Sequence, residues 1–189
     1  MTPTWAAIRV FRATRRDVVF ALDRVMAREG RIPFEVDRIP PEYPAERGEF
    51  ESVLIEAHDA CEAVTVRLAA WRTAFARALA LSKTLVACRL AAAVLPPTEP
   101  LRLKAYAGGD LVLAVGSDPD DELFFRPPRA DLSGVARLLT SWGLPSCDSA
   151  EPEAVWRTFA PDFVPALPDR ATPESRCYAR QSSRLVRMS

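Results

Sequence analysis

The chain has 189 residues, of which 25 are basic and 25 acidic, so its formal net charge is zero. Zero net charge excludes the strong overall field by which many nucleic-acid-binding and membrane-surface proteins attract their targets. Hydrophobic residues make up 49% of the chain, which is enough apolar material for a substantial core in one domain.

Signals for membrane insertion or secretion are missing from the sequence. No run approaches the roughly 18 uninterrupted apolar residues of a membrane-spanning helix, and residues 1–17 lack the apolar core of a secretory signal. Only two of the 25 basic residues are Lys and there is no Asn, a bias typical of GC-rich bacterial genomes. We therefore expect a bacterial protein of the cytoplasm that does not associate with membranes. Free thiols are expected at the four scattered cysteines, which are Cys61, Cys88, Cys147 and Cys177.

The first segment predicts a strand followed by a helix. Trp5–Phe11 alternates between two faces, as a strand does. Thr14 and Asp17 then fit a capping box at a helix start, and Gly30 stands where a left-handed residue often ends a helix. Arg31–Gly48 contains four prolines and predicts an extended connection along one edge of the sheet.

The stretch Glu49–Leu95 contains neither Gly nor Pro in its 47 residues, and two interpretations compete for it. Apolar residues from Leu54 to Ala78 follow alternating spacings of three and four, which predicts one long helix. A helix of about 45 residues would extend about 67 Å at 1.5 Å per residue, which is too long for a compact domain of this size. The apolar seam also ends at Ser82.

The second interpretation divides the same stretch into strand, turn, strand, helix and strand. Ser52–Ala57 and Ala63–Leu68 are rich in Val, Ile, Leu and Thr, which favour strands, and His58-Asp59-Ala60 would form the turn between them. Trp71–Leu81 has the composition of a helix, and Thr84–Leu90 resembles a buried strand. We favour this interpretation over the long helix with a small sheet.

The clearest local signal is a β-hairpin. Leu101–Tyr106 alternates apolar and polar residues, Gly108-Gly109 permits a tight turn, and Leu111–Val115 returns. The register predicts which side chains are buried and which are exposed: Leu103 and Leu113 buried, Arg102 and Lys104 exposed.

Beyond the hairpin, Leu132–Trp142 predicts a helix that ends at Gly143, and a weaker helix is predicted over Glu153–Phe159. The inward face of the first helix would carry Val135, Leu138, Leu139 and Trp142. After Pro161 the apolar periodicity is lost, and residues 170–187 contain five Arg and only one acidic residue. We therefore expect one domain over residues 1–160 and a mobile, Arg-rich tail over residues 161–189.

Together these elements predict a single compact α+β domain with a mixed or antiparallel sheet and two or three helices. Its first part, strand, helix, strand, strand, helix, strand, resembles the βαββαβ pattern of ferredoxin-like domains. A β-hairpin and a C-terminal helix follow. The resemblance concerns topology and implies no activity, because that fold hosts many unrelated functions.

No motif for catalysis, cofactor binding or metal binding stands out. His58 is the only histidine, and neighbouring residues of a strand point to opposite faces, so His58 and Asp59 cannot act together there. One His and four scattered Cys do not supply a zinc site. Gly108-Gly109 is too short to cradle a phosphate and opens no helix. We expect no cofactor, no metal and no catalytic residue.

An acidic cluster follows the hairpin and is the candidate partner-binding site: Asp118, Asp120, Asp121 and Glu122. It lacks the register of a calcium loop. The leading hypothesis is a non-catalytic protein that binds another protein, in an immunity, antitoxin-like or chaperone-like role. One alternative is a small enzyme or ligand-binding domain whose site is assembled from scattered Arg, Asp and Glu. Another is nucleic-acid binding through the basic tail, which the scarcity of aromatic residues there disfavours.

Overall fold

The computed structural model describes residues 5–40, 42–44, 46, 48–58, 62–68, 71–95, 102–115, 132–142 and 175–188. The strands are β1 (Trp5–Phe11), β2 (Arg31–Phe34), β3 (Phe50–His58), β4 (Ala63–Leu68), β5 (Arg89–Leu95), β6 (Arg102–Ala107), β7 (Asp110–Val115) and β8 (Ser175–Arg180). The helices are α1 (Arg15–Arg28), α2 (Ala74–Thr84), α3 (Leu132–Ser141) and α4 (Arg184–Met188), with 3₁₀ turns at Val36–Arg38 and Trp71–Thr73.

The strands form one sheet in the order β2-β8-β3-β4-β1-β5-β6-β7, and every neighbouring pair is antiparallel. The predicted α+β class with an antiparallel sheet is confirmed. β3, β4, β1 and β5 are adjacent in that order, and α1 and α2 connect them along the chain. β2 is an additional strand between α1 and β3, and the ferredoxin-like assignment stays a prediction.

The capping box predicted at the start of α1 is present. Asp17 N donates to Thr14 Oγ1 at 3.2 Å, and Thr14 N donates to Asp17 Oδ2 at 3.3 Å. Burial is outweighed by these hydrogen bonds, so the pKa of Asp17 lies below its usual value. Gly30 ends the helix region with φ +71°, a conformation that glycine adopts without a steric penalty. The sequence thus specifies the first strand and helix locally.

One face of the sheet packs against α1 and α2 and forms the main core. Ile8 and Val10 of β1, Val66 of β4 and Leu22 of α1 are all buried in one cluster. Alternate residues of the strands point to this face, as the two-residue period of a strand requires. On the opposite face, the ring of Trp142 packs edge-on against Phe11 with centroids 5.5 Å apart. Ala7, Ala91 and Leu103 on that face are buried as well, so the central strands are buried on both faces.

The long-helix interpretation of the centre is wrong, because β3 and β4 pair as a hairpin with Ile55 opposite Val66. Ser82, where the apolar seam ends, lies inside α2 and is fully buried. Its Oγ accepts a hydrogen bond from Gly109 N at 2.9 Å. A polar residue at a core-facing position therefore ties the helix to the turn between β6 and β7.

The strand predicted at Thr84–Leu90 lies five residues too early, since α2 continues to Thr84 and β5 covers Arg89–Leu95. β5 has three consecutive alanines, which favour helices in isolation. Ala91, Ala92 and Ala93 are all fully buried. Small side chains suit a central strand that is packed on both faces, so tertiary packing overrides the local preference.

The hairpin of β6 and β7 is confirmed, with Leu103 opposite Val115 and a bulge between Ala105 and Tyr106. Leu103 is fully buried as predicted, but Lys104 is buried as well. The Lys104 Nζ lies 4.7 Å from the centroid of the Phe75 ring on α2, a favourable cation–π position. The prediction that Lys104 is exposed is wrong because a helix covers its face of the sheet. Leu113 is half-buried.

We expect Gly109→Ala to destabilise the protein more than Gly108→Ala. A Cβ at Gly109 would lie 2.9 Å from Lys83 Cγ, and its φ is +91°. Gly108 has a φ of +61° and a built Cβ meets nothing closer than Val86 O at 4.0 Å. Left-handed strain alone costs about 1–2 kcal/mol, so urea unfolding should show that loss for Gly108→Ala and a larger loss for Gly109→Ala. Equal losses would mean that Lys83 moves aside freely.

The prediction of a mobile tail is wrong for residues 175–188. β8 lies between β2 and β3, with Tyr178 opposite Pro33 on one side and Glu51 on the other. Tyr178 and Ala179 are fully buried. Two of the six residues of β8 are arginines, so its sequence does not show the usual alternation of apolar and polar residues. Arg176 is nevertheless accommodated on the face that carries α1, because its Nε donates to Asp23 Oδ1 at 2.7 Å. Pro33 is tolerated because β2 is the last strand of the sheet.

Several predictions fall outside the described residues. These are the helix over Glu153–Phe159, the part of the tail before Ser175, and the acidic cluster of Asp118, Asp120, Asp121 and Glu122. The predicted helix at Leu132–Trp142 is present as α3, and Trp142 is buried as expected. Cys88 and Cys177 are buried free thiols, as predicted. Within the described ranges, no helix is long and apolar enough to cross a membrane.

Candidate functional site

A pocket of about 500 Å³ lies where β8 ends beside the start of β3. Its walls come from residues 43–49, which lead into β3, and from residues 180–187, which follow β8. These two segments are far apart in sequence. They meet because β8 pairs with β3, and the Arg180 N–H donates to the carbonyl of Glu49 at 3.0 Å. The volume lies within the range of small-ligand sites.

The segment after β8 is held in a defined turn. Gln181 N donates to Gly30 O at 2.9 Å, and Ser183 N donates to Arg180 O at 2.8 Å. The Arg187 N–H then donates to the Ser183 carbonyl at 3.2 Å, inside the short helix α4. This backbone network fixes the positions from which the side chains of Arg184 and Arg187 leave the chain.

Glu49 lies at the base of the pocket with only 6% of its surface exposed. Its Oε1 accepts hydrogen bonds from the hydroxyls of Tyr43, at 3.0 Å, and Ser183. Its Oε2 accepts from the Glu46 N–H at 3.0 Å. The Ser183 bond, helped by those from Glu46 and Tyr43, outweighs burial and keeps the pKa of Glu49 below its usual value. Glu49 is therefore an ionised carboxylate that joins both walls.

Three arginines line the same pocket: Arg180, Arg184 and Arg187. All three are exposed, and within the described residues none of their guanidinium groups lies within 4 Å of a carboxylate. Glu46 and Glu49 also line the pocket, so its three arginines exceed its two carboxylates by one charge. The oxygens of Glu49 accept hydrogen bonds from Tyr43, Ser183 and the Glu46 N–H. The arrangement offers several N–H donors to a group that enters the pocket.

Tyr43 supplies a further polar group. Burial and the hydrogen bond to Glu49 raise the pKa of Tyr43 above its usual value. Its hydroxyl thus stays protonated at neutral pH and continues to donate to Glu49. A low-pKa carboxylate and a high-pKa phenol are both poorly matched to proton transfer near neutral pH, which is most efficient when the catalytic pKa lies near the working pH.

Two other charged clusters hold the fold together. The Arg77 side chain on α2 is 2% exposed and bridges Glu29 of the α1 C-terminus, at 2.6 Å from Nη2 to Oε2, and Glu51 of β3. Burial lowers the pKa of Arg77, but Glu51 and Glu29 raise it by more, so the guanidinium stays charged. In the second cluster, Asp23 accepts from both Arg176 and the Tyr178 hydroxyl, the latter at 2.8 Å. In both clusters the charged groups pair with one another and join separate elements of the fold.

A second concavity, of about 640 Å³, lies beside the start of α1, between residues 12–17 on one side and Ala57 with residues 62–64 on the other. Arg12 and Glu62 both have positive φ, +58° and +47°, and the Arg12 N–H donates to the Glu62 carbonyl at 2.8 Å. Asp17 faces this space but serves the capping box. Its mixed charges favour no particular ligand.

Of the sequence-derived candidates, Asp118, Asp120, Asp121 and Glu122 lie outside the described residues. His58 is the last residue of β3, paired with Ala63, and its side chain is not among those described. No three His, Cys, Asp or Glu side chains of the described segments come together as metal ligands. The pocket residues lie in the two segments that the sequence predicts to be a connection and a tail. The sequence contains one signal for this site, the helical spacing of Arg180, Arg184 and Arg187. Because the segment has no apolar periodicity, that spacing alone does not predict a folded element.

Comparison with protein-family models, curated protein sequences and solved structures gives no significant match to this chain. The function must therefore be argued from the residues themselves.

Proposed function

We propose that this protein binds an anionic group, a carboxylate or a phosphate, in the pocket lined by Arg180, Arg184 and Arg187. The observation that carries the proposal is that three arginines without carboxylate partners among the described residues line one concave site. This corresponds to the alternative function of a ligand-binding domain with a site of scattered charged residues.

Guanidinium groups favour this ligand class for two reasons. Each presents several N–H donors in a planar fork that matches the oxygens of a carboxylate or phosphate. Hydrogen bonds between charged partners are shorter and stronger than neutral ones. The Ser182 side chain, which also lines the pocket, adds a hydroxyl donor beside the arginines.

Glu49 acts as a positioning residue in this proposal. Its bonds to Tyr43 and Ser183 join the two walls, and Ser183 immediately precedes Arg184. The carboxylate therefore sets the geometry of the arginines while its own charge is satisfied internally.

The anion can be a free small molecule or an acidic group on a partner protein, and the leading hypothesis of a protein partner stays open. Isothermal titration with inorganic phosphate and with an acetylated Asp-Glu peptide separates the two sources. Binding of phosphate alone supports a small-molecule ligand, and binding of the peptide alone supports a protein partner. The absence of both signals at low salt would overturn the proposal.

The variant that tests the site is Arg184→Gln combined with Arg187→Gln. Losing two charge-assisted contacts should weaken binding by about tenfold or more, since a tenfold change corresponds to about 1.4 kcal/mol. The matched control is Arg12→Gln combined with Arg137→Gln, which removes the same charge from exposed positions outside the pocket. We expect the control to change the Kd by less than about twofold, as long-range electrostatics are screened by salt. An equal loss in both variants would indicate a general charge effect and contradict a defined site.

A further inference from the structure

The exposed face of α1 carries an aromatic residue between arginines. Phe20 exposes 64% of its surface, and Arg16 and Arg24 are exposed one turn before and after it. The Arg24 Cζ lies 5.9 Å from the centroid of the Phe20 ring. Arg28 continues the row by another turn. We refer to Arg16, Phe20, Arg24 and Arg28 as the α1 stripe.

Phe20 is not required by the core. The opposite face of α1 already supplies Val18, Leu22, Val25 and Met26, all almost fully buried against the sheet. A single exposed apolar side chain is common on protein surfaces. An exposed aromatic residue flanked by arginines is a more specific sign of a binding surface, because aromatic residues and Arg are enriched in the hot spots of protein interfaces.

The carboxylates of α1 have partners inside the molecule, whereas the arginines of the α1 stripe form no ion pair in the part of the chain that the structure describes. Each carboxylate of α1 and its C-cap is used inside the molecule: Asp17 by Thr14, Asp23 by Arg176 and Tyr178, and Glu29 by Arg77. The three arginines of the α1 stripe form no ion pair within the described residues. The helix therefore presents unpaired positive charge around an apolar centre, although the whole chain has a formal net charge of zero.

We propose that the α1 stripe is a docking surface for an acidic amphipathic helix of a partner protein. Successive members of the α1 stripe are four residues apart, which corresponds to about 6 Å along the axis, so the row spans about 18 Å. Carboxylates four residues apart on a partner helix have the same spacing. An apolar residue between them would cover Phe20, as in other recognition of amphipathic helices.

Charge complementarity and shape favour this occupant over nucleic acid. Single-stranded nucleic acid is held by several stacking aromatics along a basic groove, whereas the α1 stripe has one aromatic on a convex helix. The interaction is independent of the pocket, because no residue of the α1 stripe lines it.

The test uses the full chain and two synthetic peptides of equal composition, each about 18 residues long, enough for several helical turns. In the first peptide Glu recurs every fourth residue around a central Leu on one helix face. In the second the Glu residues are distributed around the helix. Fluorescence anisotropy at low and physiological salt should show binding of the first peptide at least about tenfold tighter than the second, and weakening with salt.

Phe20→Ser should weaken binding of the first peptide by about tenfold or more, as expected for a central aromatic contact. Val86→Ser is the matched control, since Val86 is equally exposed at 64%, and it should change the Kd by less than about twofold. Arg12→Gln with Arg137→Gln is the charge-matched control, since both residues are exposed and lie outside the pocket and the α1 stripe, and it should also leave the Kd nearly unchanged. Circular dichroism checks that each variant is folded.

Several outcomes would overturn the proposal. These are failure of the first peptide to bind, equal binding of both peptides, or an unchanged Kd for Phe20→Ser. Tighter binding of a single-stranded oligonucleotide, with the same dependence on Phe20, would reassign the α1 stripe to nucleic acid.

Discussion

Deletion of the residues from Ser175 onward is expected to abolish cooperative unfolding or to lower the Tm by more than about 10 °C. β8 separates β2 from β3 in the sheet, so its removal leaves both strands without their shared partner. It also removes the fully buried Tyr178, and the loss of a buried aromatic side chain alone costs about 3–5 kcal/mol. Native domains have only about 5–15 kcal/mol of stability in total. Thermal unfolding followed by circular dichroism measures the effect.

The matched control is a chain that ends at Ser183, which keeps β8 but lacks α4. This shorter deletion removes Arg184 and Arg187 from the pocket without unpairing any strand. We expect a small change in Tm together with loss of anion binding. If the longer deletion changed the Tm by no more than the shorter one, β8 would contribute nothing to the fold in solution.

The elements that could be predicted from sequence are those specified by neighbouring residues. The capping box of Thr14 and Asp17 fixes the start of α1, and Gly108-Gly109 fixes the turn of the hairpin. Both depend on residues only a few positions apart. The period-two and helical patterns on either side of them carry the same kind of local information.

The elements that could not be predicted depend on distant partners. β8 is short, and its polar alternate residues, such as Arg176, are satisfied only by groups such as Asp23 on α1. Nothing within Ser175–Arg180 indicates that this segment pairs with β2 on one side and β3 on the other. The alternation of Leu103 and Lys104 is typical of a strand with one exposed face, and it therefore predicts an exposed Lys104. In the structure α2 covers the face of the sheet on which Lys104 lies.

The same reason explains why the sequence did not reveal the candidate site. The pocket exists only because β8 brings residues 180–187 beside residues 43–49, which turns a basic segment into one wall of a concave surface. The pocket therefore forms only when β8 is paired in the sheet. A ligand that bridges the two walls should stabilise the inserted strand, since a ligand that binds only the folded form shifts the equilibrium towards it.

Arg77→Ala is expected to destabilise the protein strongly. Arg77 is almost completely buried and contacts both Glu51 and Glu29, so its removal leaves the buried Glu51 carboxylate without its main partner. Arg31 lies 3.6 Å from the same carboxylate and compensates only partly. Breaking a buried ion pair by removing one partner costs about 3–5 kcal/mol, because the remaining charge is uncompensated. Urea unfolding gives the free-energy difference.

The matched control is Arg38→Ala, which breaks an ion pair with Glu35 of similar length, 2.6 Å, between side chains that are 62% and 71% exposed. Exposed pairs contribute less than about 1 kcal/mol, so this variant should unfold almost as the wild type does. The double variant Arg77→Met with Glu51→Leu removes both charges and should recover much of the loss, since apolar replacement of a buried pair is often neutral. If Arg77→Ala were no more destabilising than Arg38→Ala, water would have to reach Glu51, and α2 would not be joined to β3 by a buried charge.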